Sequence, residues 1–328
     1  MKKTVTIVLA IVLALTLIGC TPSTGDTGPK QLVVGYAQLG HESDWRVGCS
    51  ESVKAAVAAA GWKLEFVDAD QKQDEQIKAL RDFITMNVDY IAFSPVVESG
   101  WDEVMQEIKE AGIPVVMLDR NIDMANREDY FEAWIGADFI EEGKKAANWL
   151  IDYMEAEGRG NDEINIVELQ GTVGSSPAND RMKGFADTLA SKSNYKIIMT
   201  QTGNFETDLG KTVMESFLKS GERIDVLFAH NDNMALGAIQ AIEEAGLVPG
   251  VDIIIIGVDA IKLAFEEIIA GRMNVTVECT PLLGPKLVET IQKLIAGQPV
   301  PKTLNPDEYV YDMYFYNNAE EELPNRVY

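Results

Sequence analysis

Short apolar runs alternate with longer amphipathic ones along most of this chain. Residues 32–37, 63–67, 89–94 and 114–118 have the length and the β-branched and aromatic content of strands. Between them, residues 51–60 are rich in Ala and Val and close at Gly61, as a helix with a glycine stop does. Asp74 is placed to cap a helix carrying Ile77, Leu80 and Ile84 on one face, and residues 101–111 form a third helix stopped by Gly112. A second series follows. Residues 141–156 form a helix with Ala146, Trp149, Leu150 and Tyr153 turned inward. Strands at 164–170, 196–201, 225–229 and 253–258 then alternate with helices at 177–189, 208–220 and 233–245, the last ending at Gly246. From Tyr309 the pattern changes to strict alternation, with Tyr309, Tyr311, Met313 and Phe315 on one face and Asp312 on the other, which predicts a late strand.

Alternation of apolar strands with amphipathic helices implies α/β architecture, with parallel sheets covered on both faces. The two series also resemble each other. Val88-Asp89-Tyr90-Ile91-Ala92-Phe93 parallels Ile224-Asp225-Val226-Leu227-Phe228-Ala229, and Glu110-Ala111-Gly112-Ile113-Pro114 parallels Glu244-Ala245-Gly246-Leu247-Val248-Pro249. Two similar lobes follow. A length of roughly 300 residues beyond the first turns of sequence also suits two domains.

Five apolar runs end abruptly in polar groups. Residues 33–37 lead to Gln38 and then Glu42, Trp45 and Arg46; 115–118 lead to Asp119-Arg120; 226–229 to His230-Asn231-Asp232; 253–258 to Asp259; 275–277 to Glu278. Ligands of open α/β sheets bind beyond the carboxyl ends of the strands, so these groups should gather in one crevice. Acids, amides, arginines and a tryptophan suit a small polyhydroxylated molecule. Asp119-Arg120 combines a carboxylate acceptor with a guanidinium fork; a plain salt bridge is the alternative. Trp45 offers a flat face for the C–H side of a sugar ring, or a core residue at a helix start. Glu42 is an acceptor or a charge favoured by a helix dipole. Arg181, alone, reads as a solvated helix arginine. Asn231 both donates and accepts, or caps a turn, and Asp232 suits the capping role better. Asp259, so close to a buried strand, needs a partner. Glu278 is the weakest of the set.

Charge and the termini narrow the class. Lys2-Lys3 precedes an apolar stretch, 4–18, of about 15 residues, the length of a secretory h-region and short for a membrane span. Leu17-Ile18-Gly19-Cys20 then looks like a lipobox, which assigns residues 1–20 to a lipoprotein signal peptide and Cys20 to lipid attachment; ordinary secretion with an incidental Cys20 is the alternative. Residues 21–30, rich in Thr, Gly, Pro and Ser, read as a tether. The chain has 28 basic and 52 acidic residues, a net charge of −24. That excess argues against nucleic acid, whose phosphates need basic partners. Cys49 and Cys279 remain after Cys20 and read as small apolar core residues, with pairing between them as the other option. With two histidines, no zinc motif, no Walker loop and no Gly-x-Ser-x-Gly elbow, the sequence calls for no metal and no cofactor. Gly171-Thr172-Val173-Gly174 lacks dinucleotide-binding spacing, and no carboxylate pair stands out for glycoside hydrolysis.

Several stretches carry a family likeness: Glu42-Ser43-Asp44-Trp45-Arg46, Asp70-Gln71-Lys72-Gln73, Ser94-Pro95-Val96-Val97, Leu118-Asp119-Arg120, Val167-Glu168-Leu169-Gln170-Gly171-Thr172-Val173-Gly174, Asp180-Arg181-Met182-Lys183-Gly184-Phe185 and Ala229-His230-Asn231-Asp232. Over almost all of residues 31–302 the chain resembles the type I periplasmic binding proteins, the solute receptors of bacterial sugar ABC importers, and within them the galactofuranose-binding branch of the ribose/galactose-binding family. The resemblance implies two Rossmann-like lobes, 31–137 with 280–308 and 138–279 with 309–328. They would be joined by a three-crossover hinge near Ala137-Asp138, Glu278-Cys279 and Glu308. It implies a monosaccharide, galactofuranose or a related furanose or aldose, held by Glu42, Trp45, Arg46, Asp119, Arg120, Arg181, Asn231 and Asp259, with no catalysis. It also implies ABC permease and ATPase partners, a monomeric state, and attachment through lipid at the outer face of the cytoplasmic membrane. The chain departs from the branch in four places. Asp44 stands where the branch has glycine, and Glu278 where ribose binders have glutamine. The branch's cysteine pair is missing, and the acidic, aromatic tail beyond Leu304 has no counterpart. Rival readings are a receptor for a chemotaxis or two-component sensor, a secreted glycosidase, and a LacI-type repressor, which would need a helix-turn-helix where this chain has a signal sequence.

Overall fold

The computed structural model describes residues 31–328; the expected signal peptide with Cys20 and the expected tether over 21–30 lie outside them. Two separate sheets organise what is described. The first series of elements is β1 (Val33–Gln38), α1 (Asp44–Ala59), β2 (Lys63–Asp68), α2 (Gln73–Met86), β3 (Tyr90–Phe93), α3 (Asp102–Ala111), β4 (Val115–Leu118) and β5 (Ala133–Ile135). The second is α4 (Phe139–Ala156), β6 (Ile164–Gln170), α5 (Ser176–Leu189), β7 (Tyr195–Thr202), α6 (Thr207–Lys219), β8 (Val226–Ala229), α7 (Asp232–Glu244), β9 (Ile254–Asp259), α8 (Lys262–Ile269) and β10 (Val275–Glu278). After these come α9 (Gly284–Ile295), β11 (Thr303–Leu304), β12 (Val310–Asp312), β13 (Asn317–Asn318) and α10 (Ala319–Glu322). The first sheet runs β11-β5-β4-β3-β1-β2 and the second β13-β12-β10-β9-β8-β6-β7. Every pairing is parallel except that of β12 with β10. These are the two α/β lobes that the sequence pattern implied.

The chain passes between the sheets three times. It leaves the first after β5, returns from β10 through α9, which packs on α1, and crosses again from β11 to β12. The strands facing the cleft, β4, β8, β9 and β10, are buried along their whole length, as parallel strands covered on both faces must be.

Three local expectations are corrected. Helix α1 begins at Asp44, not at 51, because the Ser43 hydroxyl accepts from the Arg46 amide and Trp45, Arg46 and Cys49 turn their side chains inward. This cap satisfies an amide that the helix start would otherwise orphan. Asp74 does not cap α2. Lys72 stands at the cap without a side-chain bond, and the buried face includes Gln76, whose amide donates to the carbonyls of Ala37 and Ser94 and accepts from the Val96 amide. A fully bonded glutamine can be buried where an isoleucine was expected. The late strand stops at Asp312. Its Oδ1 accepts from the amides of Tyr314, Phe315 and Tyr316, bending the chain away, while its Oδ2 accepts from the buried Trp149 indole at 2.7 Å. The tail aromatics then fold onto α4, with Tyr314 edge-on to Tyr153.

Candidate functional site

The carboxyl ends of β1 and β4 in one lobe face those of β7, β8, β9 and β10 in the other. Between them lies a small cleft, nearly filled by the side chains that line it. One wall carries Glu42, Ser43, Trp45, Arg46, Asp119 and Arg120. The other carries Pro177, Arg181, Phe205, Asn231, Asp259 and Cys279. All eight residues that the resemblance singled out therefore line one cavity, five on the first wall and three on the second.

The first wall is a mesh of charges. Arg46 Nη1 donates to Asp119 Oδ2 at 2.7 Å and its Nε to Glu42 Oε1 at 3.2 Å. Asp119 Oδ2 also accepts from the Ser94 hydroxyl, and the Asp119 backbone takes a positive φ of 58°. Arg120 Nη1 donates to the Val96 carbonyl and its Nη2 stands 3.9 Å from Glu42. Burial lowers the basicity of Arg46, but the carboxylates of Asp119 and Glu42 outweigh it and hold its pKa above the usual value. For Arg120 burial and the positive charge of Arg46 win, and its pKa is pushed down to about 10, still a cation at neutral pH. Two wall atoms, Arg120 Nε and Glu42 Oε2, are buried without any hydrogen-bond partner among the described residues. An orphan donor and an orphan acceptor each cost about 1–3 kcal/mol, which is the free energy a hydroxylated ligand can recover.

The second wall corrects the solvated reading of Arg181. It is 3% exposed; Nε donates to Glu142 Oε2 at 2.6 Å, Nη1 donates to the His230 carbonyl, and Nη2 lies 3.7 Å from Asp259 Oδ1. Burial would weaken its charge, yet Glu142, Cys279 and Asp259 raise its pKa. Burial pushes the Asp259 carboxyl well above the usual range, with Arg181 pulling the other way. Hydroxyl donors from a ligand would favour its ionised form. Asn231, not Asp232, caps α7: its Oδ1 accepts from the Met234 amide and its Nδ2 donates to the Phe205 carbonyl. Asp232 instead lies beneath the sheet ends, accepting from the Ile261 amide and the Thr276 hydroxyl.

Other strand-end groups leave the cavity. Gln38 is spent internally on Tyr36, Ser50 and the Leu39 amide. Glu278 is held by the C-terminal tail, where Arg326 Nη1 donates to it at 2.6 Å and the Tyr309 amide at 3.2 Å. Trp45 donates its indole N–H to the Cys279 carbonyl at 2.6 Å, and the Arg46 guanidinium lies 4.6 Å from its ring centre. Among the described residues Cys49 and Cys279 are both free and buried, so pairing between them is excluded.

Phe205 was missed by sequence reasoning. Its ring faces the guanidinium of Arg120 at 5.2 Å and that of Arg181 at 6.0 Å, so it stands between the lobes. It lies three residues past the end of β7, and Asn204 and Phe205 both hold positive φ, 53° and 67°. A bulky residue in that region marks a constrained position. The strand-end rule applied to β7 would have found it. Room for the ring comes from Gly171, where any Cβ would overlap the Phe205 ring.

The lobes also touch outside the cavity. The Asp44 amide donates to Asn233 Oδ1 at 3.2 Å and Asn233 Nδ2 returns a bond to Asp44 Oδ2 at 2.7 Å. Asn179 donates to Glu98 at 2.6 Å, Gln71 to Glu206 at 3.1 Å, and the Asn121 amide to the Ser176 hydroxyl at 3.0 Å.

Known proteins match this arrangement. A periplasmic binding protein domain is recognised over residues 34–299. The galactofuranose-binding protein YtfQ of Escherichia coli is 41% identical over 298 residues, covering 90% of this chain and 91% of that one. A Mycobacterium smegmatis protein solved in complex with β-D-fucofuranose superposes with a TM-score of 0.85 at 47% identity, covering 90% and 94%. The binding protein of the arabinose ABC transporter from Shewanella sp. ANA-3, solved with α- and β-L-arabinofuranose, superposes at 0.83 with 43% identity, covering 90% and 95%. The chain belongs to the periplasmic binding protein family and is a binding protein, not an enzyme.

Proposed function

We propose that this protein binds one neutral monosaccharide in its furanose form between the two lobes and delivers it to the permease of an ABC importer. The observation that carries this reading is the cavity itself. It is small, it draws its walls from both lobes, and it combines carboxylates, guanidiniums and an amide with the faces of Trp45 and Phe205. Glu42, Asp119 and Asp259 would accept from hydroxyls. Arg46, Arg120 and Arg181 would donate, Asn231 would do both, and the aromatics would cover the C–H faces. The furanose preference is supported by relatives solved or named with furanoses.

The lobes are 31–137 with 280–308 and 138–279 with 309–328, and the hinge passes through Ala137-Asp138, Glu278-Cys279 and Glu308. Only the closed form offers both walls at once, so the sugar stabilises closure and the permease reads the closed shape. The chain acts as a monomer, tethered by residues 21–30 to a lipid on Cys20 at the outer face of the membrane. That anchoring rests on the sequence of the first twenty residues, and Cys20→Ala should release the protein from the membrane fraction.

Isothermal titration against pentoses and hexoses in both ring forms tests the ligand. Micromolar or tighter binding of a furanose is expected. A flat titration with every sugar would sink the reading.

A further inference from the structure

The three crossovers bring together three side chains that the sugar cavity does not use as a group. Glu142 sits in the first turn of α4, Cys279 follows β10, and Glu308 precedes β12. A carboxylate oxygen of Glu142, the Cys279 sulfur and a carboxylate oxygen of Glu308 all lie within 4.8 Å of one another. Glu142 is fully buried and Cys279 is 3% exposed, while Glu308 is only half-buried and keeps a way in from solvent. No sequence motif links them, since they lie far apart along the chain.

Their charges are not fully met. Glu142 Oε2 is committed to Arg181, but Oε1 is buried with no hydrogen-bond partner among the described residues. One Glu308 oxygen accepts from the Thr280 amide at 3.1 Å. Lys145 Nζ bonds the Glu308 backbone carbonyl, not its carboxylate. Arg181 beside Glu142 and Lys145 beside Glu308 meet part of this charge, but two carboxyls and a thiol this close cannot all ionise on that alone.

We infer that Glu142, Cys279 and Glu308 form a site for a single divalent cation of the zinc class. A thiolate with two carboxylate oxygens is a borderline-soft set that suits zinc and excludes calcium and magnesium, which take oxygen ligands alone. Tetrahedral zinc, with bonds of about 2.0–2.3 Å, sets its ligands roughly 3.4–3.8 Å apart. The cluster therefore needs only a modest contraction, which the half-buried Glu308 side chain can supply. Three protein ligands leave a fourth position for water. Binding displaces the thiol proton and any carboxyl proton to solvent, and no electron is transferred. Because each ligand stands beside a different crossover, the ion would fasten all three passages of the chain together. The assignment is independent of which sugar the cavity holds.

Cobalt(II) is the probe, titrated into the full-length protein after chelator treatment. One equivalent should bind, giving tetrahedral visible bands and a thiolate-to-cobalt charge-transfer band that zinc then abolishes. Cys279→Ser should remove the charge-transfer band and Cys49→Ser should leave it. Glu308→Gln, at a half-buried position that tolerates an isosteric amide, should weaken zinc affinity at least tenfold in equilibrium dialysis, with circular dichroism confirming the fold of each variant. No charge-transfer band, a band that survives Cys279→Ser or is lost with Cys49→Ser, or unchanged zinc affinity in Glu308→Gln would each overturn the site.

Discussion

Arg120 keeps its charge in a place where little but its neighbours can compensate it. Its Nη1 is satisfied by the Val96 carbonyl, while its Nε has nothing to bond among the described residues. Truncation should therefore hurt ligand binding more than folding. Arg120→Ala is expected to raise the sugar dissociation constant about 10- to 100-fold in calorimetry, in line with about 1–3 kcal/mol for a lost buried bond. An unchanged constant would remove Arg120 from the site. Asp232 makes a different prediction. Burial raises its carboxyl to about 7 against an ordinary value near 4, while bonds from Ile261 and Thr276 and the charge of Arg181 pull the other way. The folded state thus holds a proton that the unfolded chain releases. Its contribution to stability is complete below roughly pH 4 and is lost as pH rises to about 7. Asp232→Asn keeps an acceptor for the Ile261 amide and removes the titration. Its stability relative to the parent should rise between those two pH values in chemical denaturation and level off above them. At this scale the sequence was readable where a residue ends a strand, as Asp119 and Asp259 do. It was not readable for Arg181, whose burial depends on Glu142 from another helix, nor for Phe205, whose place depends on a backbone twist at Asn204.

Elements were legible where burial dictates periodicity. The ends of α3 and α7 fall where Gly112 and Gly246 placed them, and β6 spans the residues expected. What stayed hidden was built from polar or long-range contacts. Helix α9 packs on α1 from the far side of a crossover, and α1 starts early because of a serine cap rather than an apolar stripe. The tail ended as a strand because one aspartate gathers three amides. It was also anchored, not loose, since Arg326 reaches Glu278 and lies 4.9 Å from the Phe265 ring centre and 4.6 Å from that of Tyr311. The loop after β6 yields a test at this scale. Gly171 is the space into which the Phe205 ring fits, so Gly171→Ala must push that ring toward the cavity. Sugar affinity should fall by tenfold or more while the far-ultraviolet dichroism stays unchanged. Equal affinity would mean that the ring does not set the cavity's shape.

Across the whole molecule, closure is supported by direct bonds as well as by any ligand. The reciprocal pair between Asp44 and Asn233 joins the starts of α1 and α7, one from each lobe. Such bonds bias the open–closed equilibrium by their difference between the two states and nothing more. Asn233→Ala should leave the wall chemistry intact yet loosen the closed form. The expected result is a several-fold faster sugar release in stopped-flow measurements with little change in association rate. Slower release would assign the pair to the open state instead.

The mesh of charges around the cavity also fixes how the protein responds to its medium. Arg46 is paired with Glu42 and Asp119, Arg120 stands near Glu42, and Arg181 is paired with Glu142, so each guanidinium finds its countercharge within its own lobe. A neutral guest arriving there transfers no net charge and releases no counterions. Its dissociation constant should stay flat from millimolar to molar salt, where binding driven by exposed charge would weaken steeply. The excess of acid over base on this chain then acts only on ionic guests, turning away uronates and sugar phosphates before they reach the cleft.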